Sequence, residues 1–207
     1  MSTPGGRTRN RRGEGGLLRD EIVAAAERIL EREGDETAIT LRSVAREAGI
    51  SAPSIYAHFA DRDAIVEAVL DVAFERLNKL VVETMAALHD RDDPVVRLLT
   101  GCHAYVDFAR REPARYRVLF GRRRKSAGDV PRAPLRRLES FQTLVDSVAA
   151  CVAAGRSDST DPFADAVLLW TAMHGVVMMR QSAPGFPWPP FHESVEALAL
   201  RIARIRQ

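Results

Sequence analysis

Within Thr40 to Phe59, TLRSVAREAGISAPSIYAHF, a small residue, Ala45, is followed four positions on by Gly49, then at once by Ile50, and five further on by Ile55. This spacing is that of a helix-turn-helix, whose second helix enters the major groove of duplex DNA by its N-terminal end. Each position has its own physical reason. Thr40 N-caps a two-turn helix that buries Leu41, Val44 and Ala45, and Ala45 must be small because a second helix crosses close to it. Gly49 stands where a tight turn wants a positive φ, Ile50 plugs the corner and Ser51 caps the next helix. Ile55 and Phe59, four apart, face inward, which leaves Ala52, Pro53, Ser54, Tyr56 and His58 outward. A merely structural αα-corner shares this spacing, so the surroundings decide: an amphipathic helix precedes the motif, a basic arm precedes that helix, and a long helix starts at Arg62.

The elements that must position these residues are helical throughout. No alternating run of β-branched residues occurs, and Gly34, Gly49, Asp61, Pro94, Pro113, Gly155 and Pro162 divide the chain into helical lengths. Apolar residues at 18, 22, 25, 26, 29 and 30 give a first helix from Leu17 to near Gly34. Later helices are read at 40 to 47, 51 to 59, 62 to 88, 94 to 110, 113 to 120, 134 to 154, 162 to 181 and 192 to 206. The expected fold class is all-α: an N-terminal three-helix helix-turn-helix DNA-binding domain followed by a helical bundle, for which a family resemblance in the sequence implies ligand binding and dimerisation. Residues 1–16 form a flexible basic arm, 17–62 the DNA-binding domain and 63–207 the bundle. The arm sets Arg7, Arg9, Arg11 and Arg12 against Glu14 alone and has almost no apolar side chain with which to order itself.

Charge over the whole chain explains nothing about an anionic partner. Thirty basic against 28 acidic side chains leave a net charge of only +2, so such affinity depends on where the charges sit. Cys102 and Cys151 are too few for a disulfide framework and lack metal-site spacing, so both read as buried small hydrophobes in a reducing cytosol. The short apolar runs and the arginine-rich start give no membrane span or signal peptide, and a cytoplasmic location is expected. No GxSxG, HExxH or phosphate-binding glycine loop is present, so no enzyme, metal site or cofactor is expected.

The run SVAREAGISAPSIYAHFADRDAIVEAV resembles the signature of the tetracycline-repressor (TetR) family of bacterial regulators over about residues 17 to 70. Farther on, EPARYRVLFG (112–121) and Trp170 with His174-Gly175 resemble a subgroup whose C-terminal domain is named for a Trp-His-Gly triplet, although here three residues separate the Trp from the His. The resemblance implies that Thr40 offers its hydroxyl and amide to a phosphate, helped by the helix dipole. It implies too that Tyr56 reaches the DNA backbone with His58 beside it, and that Arg62 takes the phosphate role of the family's usual lysine. Ser51, Ala52, Pro53 and Ser54 become candidates for base edges or phosphates. Because the tip lacks the side chains that make bidentate base contacts, specificity is expected from thymine methyls, hydroxyl bonds, the arm in the minor groove and DNA shape. Arg42 is a further candidate DNA contact, and two alternatives stay open: Tyr56 as a cover for the motif's own core, and Arg42 and Arg46 as solvated side chains or partners of Glu47 and Glu36.

A single recognition helix makes few contacts, so a homodimer on a double-stranded DNA operator is expected. Ala164, Leu168, Leu198, Ile202 and Ile205 give apolar faces to the last two helices, with Met178 beside them, and Gly175 permits close approach of a second helix. The resemblance also implies a pocket for an unknown small lipophilic effector inside helices 94 to 181. Its candidate lining is Tyr105, Phe108, Tyr116, Phe120 and Phe141, together with Trp170, Met173, His174 and Met178; each taken alone reads first as ordinary core. The proline-dense loop 183 to 191 (APGFPWPPF) folds onto the bundle or interface, or else forms a ligand lid. The run Arg122 to Lys125 is a solvated loop or an anion site. The whole reads as a repressor released from its operator by that effector; the alternative is a ligand-independent DNA-binding or helical interaction protein.

Overall fold

The computed structural model describes residues 15–89, 93–120 and 139–206. Among them the secondary structure is helical, apart from turns and one isolated antiparallel bridge between Ser157 and Ile205. The helices are α1 (Gly15–Glu33), α2 (Leu41–Ala48), α3 (Ala52–Ile55), α4 (Arg62–Ala86), α5 (Pro94–Arg111), α6 (Pro113–Phe120), α7 (Glu139–Ala153), α8 (Pro162–Ser182) and α9 (Phe191–Ile202). A short 3-10 turn, Glu36–Ala38, links α1 to α2. The chain divides into two compact units between Leu70 and Asp71, within α4 rather than at residue 62.

In the first unit α1 packs on α2, and α2 on α3. Ile22, Ile29 and Leu30 of α1 meet a core that includes Ile39, Val44, Ile55 and Ile65, all essentially without solvent contact. Full burial of each such side chain contributes about 1.5–3 kcal/mol. Helix α2 starts in a capping box: Ser43 N donates to Thr40 Oγ1 (3.0 Å) and Thr40 N donates to Ser43 Oγ (2.9 Å). It ends at Gly49, whose φ of 66° lets Ile50 N reach back to Ala45 O (3.0 Å) and satisfy a terminal carbonyl. Ala45, Ile55 and Phe59 are buried as the motif requires, whereas Ile50 is only half-buried.

Helix α3 is shorter than the expected 51 to 59. Beyond Ile55 the helix gives way to a turn, in which both His58 N and Phe59 N donate to Ile55 O at 2.9 Å. Ser51 makes no side-chain cap; its hydroxyl pairs with that of Ser54 at 2.7 Å.

In the second unit α7 packs on α5 and α8, α9 on α8 and α5, and α6 against α5. Asp93 and Asp161 cap α5 and α8, each followed by a proline whose missing N–H costs a helix nothing at its first position. Cys102 and Cys151 are free and buried, and burial pushes their thiols up to about 12 and about 11. The final helix stops at Ile202 rather than 206. Arg204 adopts φ 48°, Ile205 N donates to Leu200 O (2.9 Å), and Ile205 pairs with Ser157 instead of continuing the helix. Of the expected helix 134 to 154, residues 134–138 lie outside the described residues.

Candidate nucleic-acid interface and internal cavity

The turn between α2 and α3 presents a compact outward tip. Ser51, Pro53 and Tyr56 are exposed, with Ala52, Ser54 and His58 half-buried beside them. Tyr56 is 59% exposed, which removes the reading that it covers the motif's core. Arg42 and Arg46 are exposed on α2 and form no ion pair with any described residue. Glu47, their expected partner, is held from α1: Arg28 Nε donates to its Oε1 (2.9 Å) and Arg32 Nη1 to its Oε2 (3.1 Å). Those two guanidinium groups hold its carboxyl below the usual carboxylate range. The acid of α2 is thus neutralised toward α1 while its two bases stay free.

Two expected phosphate contacts take a different form. Thr40 is exposed, but its amide is donated to Ser43 Oγ and its hydroxyl shares a 3.0 Å contact with the same atom, so the capping box uses the groups offered to DNA. Arg62 is committed within the protein: Nε donates to Ile39 O (2.7 Å), Nη2 to Glu36 O (2.6 Å) and Nη1 to the Asp63 carboxylate (3.0 Å). Its planar fork ties the turn before α2 to the start of α4, a positioning role in place of a phosphate contact. Ser43, which also donates toward Ala38 O (2.7 Å), was legible only as the fourth residue of the Thr-x-x-Ser capping pattern. Arg7, Arg9, Arg11 and Arg12, and the run Arg122 to Lys125, lie outside the described residues.

In the second unit the aromatic candidates fall into two groups. Tyr105, Phe141, Trp170 and Met173 line a cavity of about 20 Å³, room for about one water, with Met85, Gly101 and Cys102. Tyr116, Phe120 and His174 instead form a packed cluster behind it, in which the Phe120 and His174 rings lie 4.2 Å apart. Phe108 is ordinary buried core, and Met178 packs half-buried against that core. The two groups share a polar chain. Trp170 Nε1 donates to the Tyr105 hydroxyl (3.0 Å), which is bonded to His174 Nε2 (2.8 Å), and the Tyr116 hydroxyl bonds His174 Nδ1. Burial pulls His174 down to about 4 and raises both tyrosines, so all of these groups are neutral at pH 7.

Helix α8 carries a second unmatched surface. Leu168 is 59% exposed and Ala164, Gly175 and Met179 are exposed in line with it, an apolar stripe at helical spacing. A Cβ at Gly175 would meet nothing within 4 Å, so none of the described residues packed around it requires a glycine. Leu198, Ile202 and Ile205 are half-buried. By length and composition α8 could cross a membrane, yet it carries a buried Asp165 and Arg180. The loop after it folds onto its own bundle: Trp188 Nε1 donates to Ala183 O (2.9 Å), and the Arg180 guanidinium lies over the Trp188 and Phe191 rings.

Comparisons with known proteins agree with this architecture. Residues 22–69 match the family model described as bacterial regulatory proteins of the tetR family, and residues 98–202 that of a tetracyclin repressor-like C-terminal domain. The second match includes Trp170, His174 and Gly175, although its description does not name the Trp-His-Gly subgroup. An uncharacterized HTH-type transcriptional regulator of Mycobacterium tuberculosis is 29% identical over 174 residues, 80% of this chain and 71% of its own. Among solved structures, a protein of unknown function from Rhodococcus sp. RHA1 superposes with a TM-score of 0.74 at 25% identity, covering 96% of this chain and all of its own. A TetR family transcription regulator from Marinobacter aquaeolei VT8 has the same fold, with a TM-score of 0.67 at 15% identity over 95% of this chain and all of its own.

Proposed function

The chain belongs to the tetracycline-repressor family of bacterial transcriptional regulators, and on that footing we propose that it acts as a homodimeric repressor released from its operator by a small lipophilic effector. The observation that carries the DNA-binding half is the tip of the first unit: an exposed Tyr56 and unpaired Arg42 and Arg46 beside a small hydroxyl-bearing turn, with Glu47 drawn away by Arg28 and Arg32. Tyr56 donates to a phosphate, Arg42 and Arg46 supply charge along the backbone, and Ser51 to Ser54 meet base edges. Arg62 holds the turn that sets this surface.

Dimerisation rests on the exposed stripe of α8. Ala164, Leu168 and Gly175 would pack against the same stripe of a second copy, with Leu198 and Ile202 of α9 at its margin, and the glycine admits close approach. The buried Asp165 on the same helix supports this reading over a membrane span, and with it a cytoplasmic location. The effector half rests on the cavity beside Tyr105 and Trp170. No catalytic role is assigned to His174, the histidine an acid–base reading would choose, because both ring nitrogens are already bonded to buried tyrosines.

Affinity for duplex DNA measured against salt tests this reading. If each dimer contacts six to ten phosphates, log K should fall against log salt with a slope of roughly −5 to −9. Tyr56→Phe should weaken every site by a similar factor without changing the melting temperature. A flat salt response, or a Tyr56→Phe effect confined to one base pair, would overturn the contact scheme.

A further inference from the structure

The cavity of the second unit constrains the chemistry of what it takes. None of the described side chains lining it is acidic or basic; their polar groups are the hydroxyls of Tyr105, Ser140, Thr143 and Ser147, the thiol of Cys102 and the indole N–H of Trp170, which is spent on Tyr105. The polar chain behind it is neutral as well, since His174 holds no proton beyond its single ring N–H at pH 7. An ion at its inner end, beside the buried Cys102, Tyr105 and Met173, would be desolvated with no countercharge among the described lining, which is heavily penalised, whereas a neutral group is not.

The direction of the available hydrogen bonds narrows the class further. Thr143 Oγ1 donates to Glu139 O (3.0 Å) and Ser147 Oγ to Thr143 O (2.7 Å), so on the Thr143–Ser147 face both hydroxyl protons are used within α7 and that face offers a visitor only lone pairs. Room comes from the opposite wall. A Cβ on Gly101 would stand 3.2 Å from Met85 Sδ, so the Met85 thioether fills the hollow that Gly101 leaves. Methionine is unbranched and re-packs readily, so its withdrawal extends the 20 Å³ space along α5.

We infer that the effector is an uncharged, mainly apolar molecule bearing a hydroxyl or other neutral hydrogen-bond donor, seated between Gly101 of α5 and the Thr143–Ser147 face of α7. This rests on reading the cavity as the effector site. It excludes carboxylates, acyl thioesters of acidic carriers and ammonium compounds as principal effectors, and it gives Gly101 and Met85 the role of an expandable wall.

The test uses the full chain and two matched probe series, 2-naphthyl and decyl, each presented as the primary alcohol, its methyl ether, the carboxylate and the ammonium form. Binding is read by calorimetry and by the shift in melting temperature. The expected result is that an alcohol binds at least tenfold more tightly than its carboxylate and ammonium counterparts and severalfold more tightly than its ether. In the Thr143→Val, Ser147→Ala double variant the alcohol should fall to the level of the ether, with the ether unchanged. Gly101→Leu, which fills the hollow, should abolish alcohol binding while DNA affinity stays. A carboxylate or ammonium form that binds as well as the alcohol would overturn the inference and leave the cavity reading standing. Failure of every probe on both scaffolds, or undiminished alcohol binding to Gly101→Leu, would overturn the cavity reading and the inference together.

Discussion

Tyr56 points its ring at solvent, while Arg62, six residues on, turns its guanidinium onto the carbonyls of Glu36 and Ile39. Both were read from the sequence as DNA contacts, and only the first keeps its side chain free for one. Arg62→Ala is therefore expected to destabilise the first unit by about 1–3 kcal/mol, because two carbonyls lose a charged donor. Arg62→Lys should recover only part of this, since an ammonium cannot reproduce the planar fork; thermal unfolding of the two variants checks it, and an unchanged melting temperature in Arg62→Ala would reject the clamp. His174 gives a pH dependence of definite sign. Its folded value of about 4 lies below the ordinary 6.5, so between those values the unfolded chain takes up a proton that the folded chain refuses. Stability should be full above about pH 6.5, fall as the pH drops toward 4, and level off below, by an amount on the order of 3 kcal/mol. Denaturant titrations across that range should show the slope in the wild type and a shallower one in His174→Gln, where the burial of His103, which lowers it in the same direction, remains.

At the scale of elements, what was legible depended on how local the cause was. The start of α2 at Thr40, its stop at Gly49 and the inward pair Ile55 and Phe59 follow from capping, φ preference and helical spacing, all written within a few residues. Gly49 is the sharpest case: with φ at 66°, Gly49→Ala should cost roughly 1–2 kcal/mol, seen as a lower melting temperature, although no atom stands near the added methyl. The shortness of α3 was not legible, because it depends on Ile55 O accepting from both His58 and Phe59. Nor was the end of α9, which is set by pairing with Ser157, far back in the chain. The bonds of His174 to Tyr105 and Tyr116 span 69 and 58 residues, and no spacing rule connects them. The family resemblance implies a pocket and residue type picks those aromatics as its candidate lining; packing sorts them into cavity wall and buried cluster.

On the scale of the whole molecule, two surfaces stand without partners among the described residues: the tip around Pro53 and Tyr56, and the α8 stripe through Leu168 and Gly175. Gly175→Leu should convert dimer to monomer in sedimentation without loss of helical content, because the added side chain has open space in its own chain and collides only with a second copy; a dimer that persists would place the interface elsewhere. The DNA-binding tip bears the central claim, and charge inserted there tests it most directly. Pro53 is exposed in the first turn of α3, where a glutamate is well tolerated, so Pro53→Glu should leave the melting temperature unchanged. Wild-type protein should select a palindromic site from a random duplex library, and Pro53→Glu should bind that site at least a hundredfold more weakly. Equal affinity of the two proteins, or no duplex selected by the wild type, would contradict the assignment of this surface to DNA.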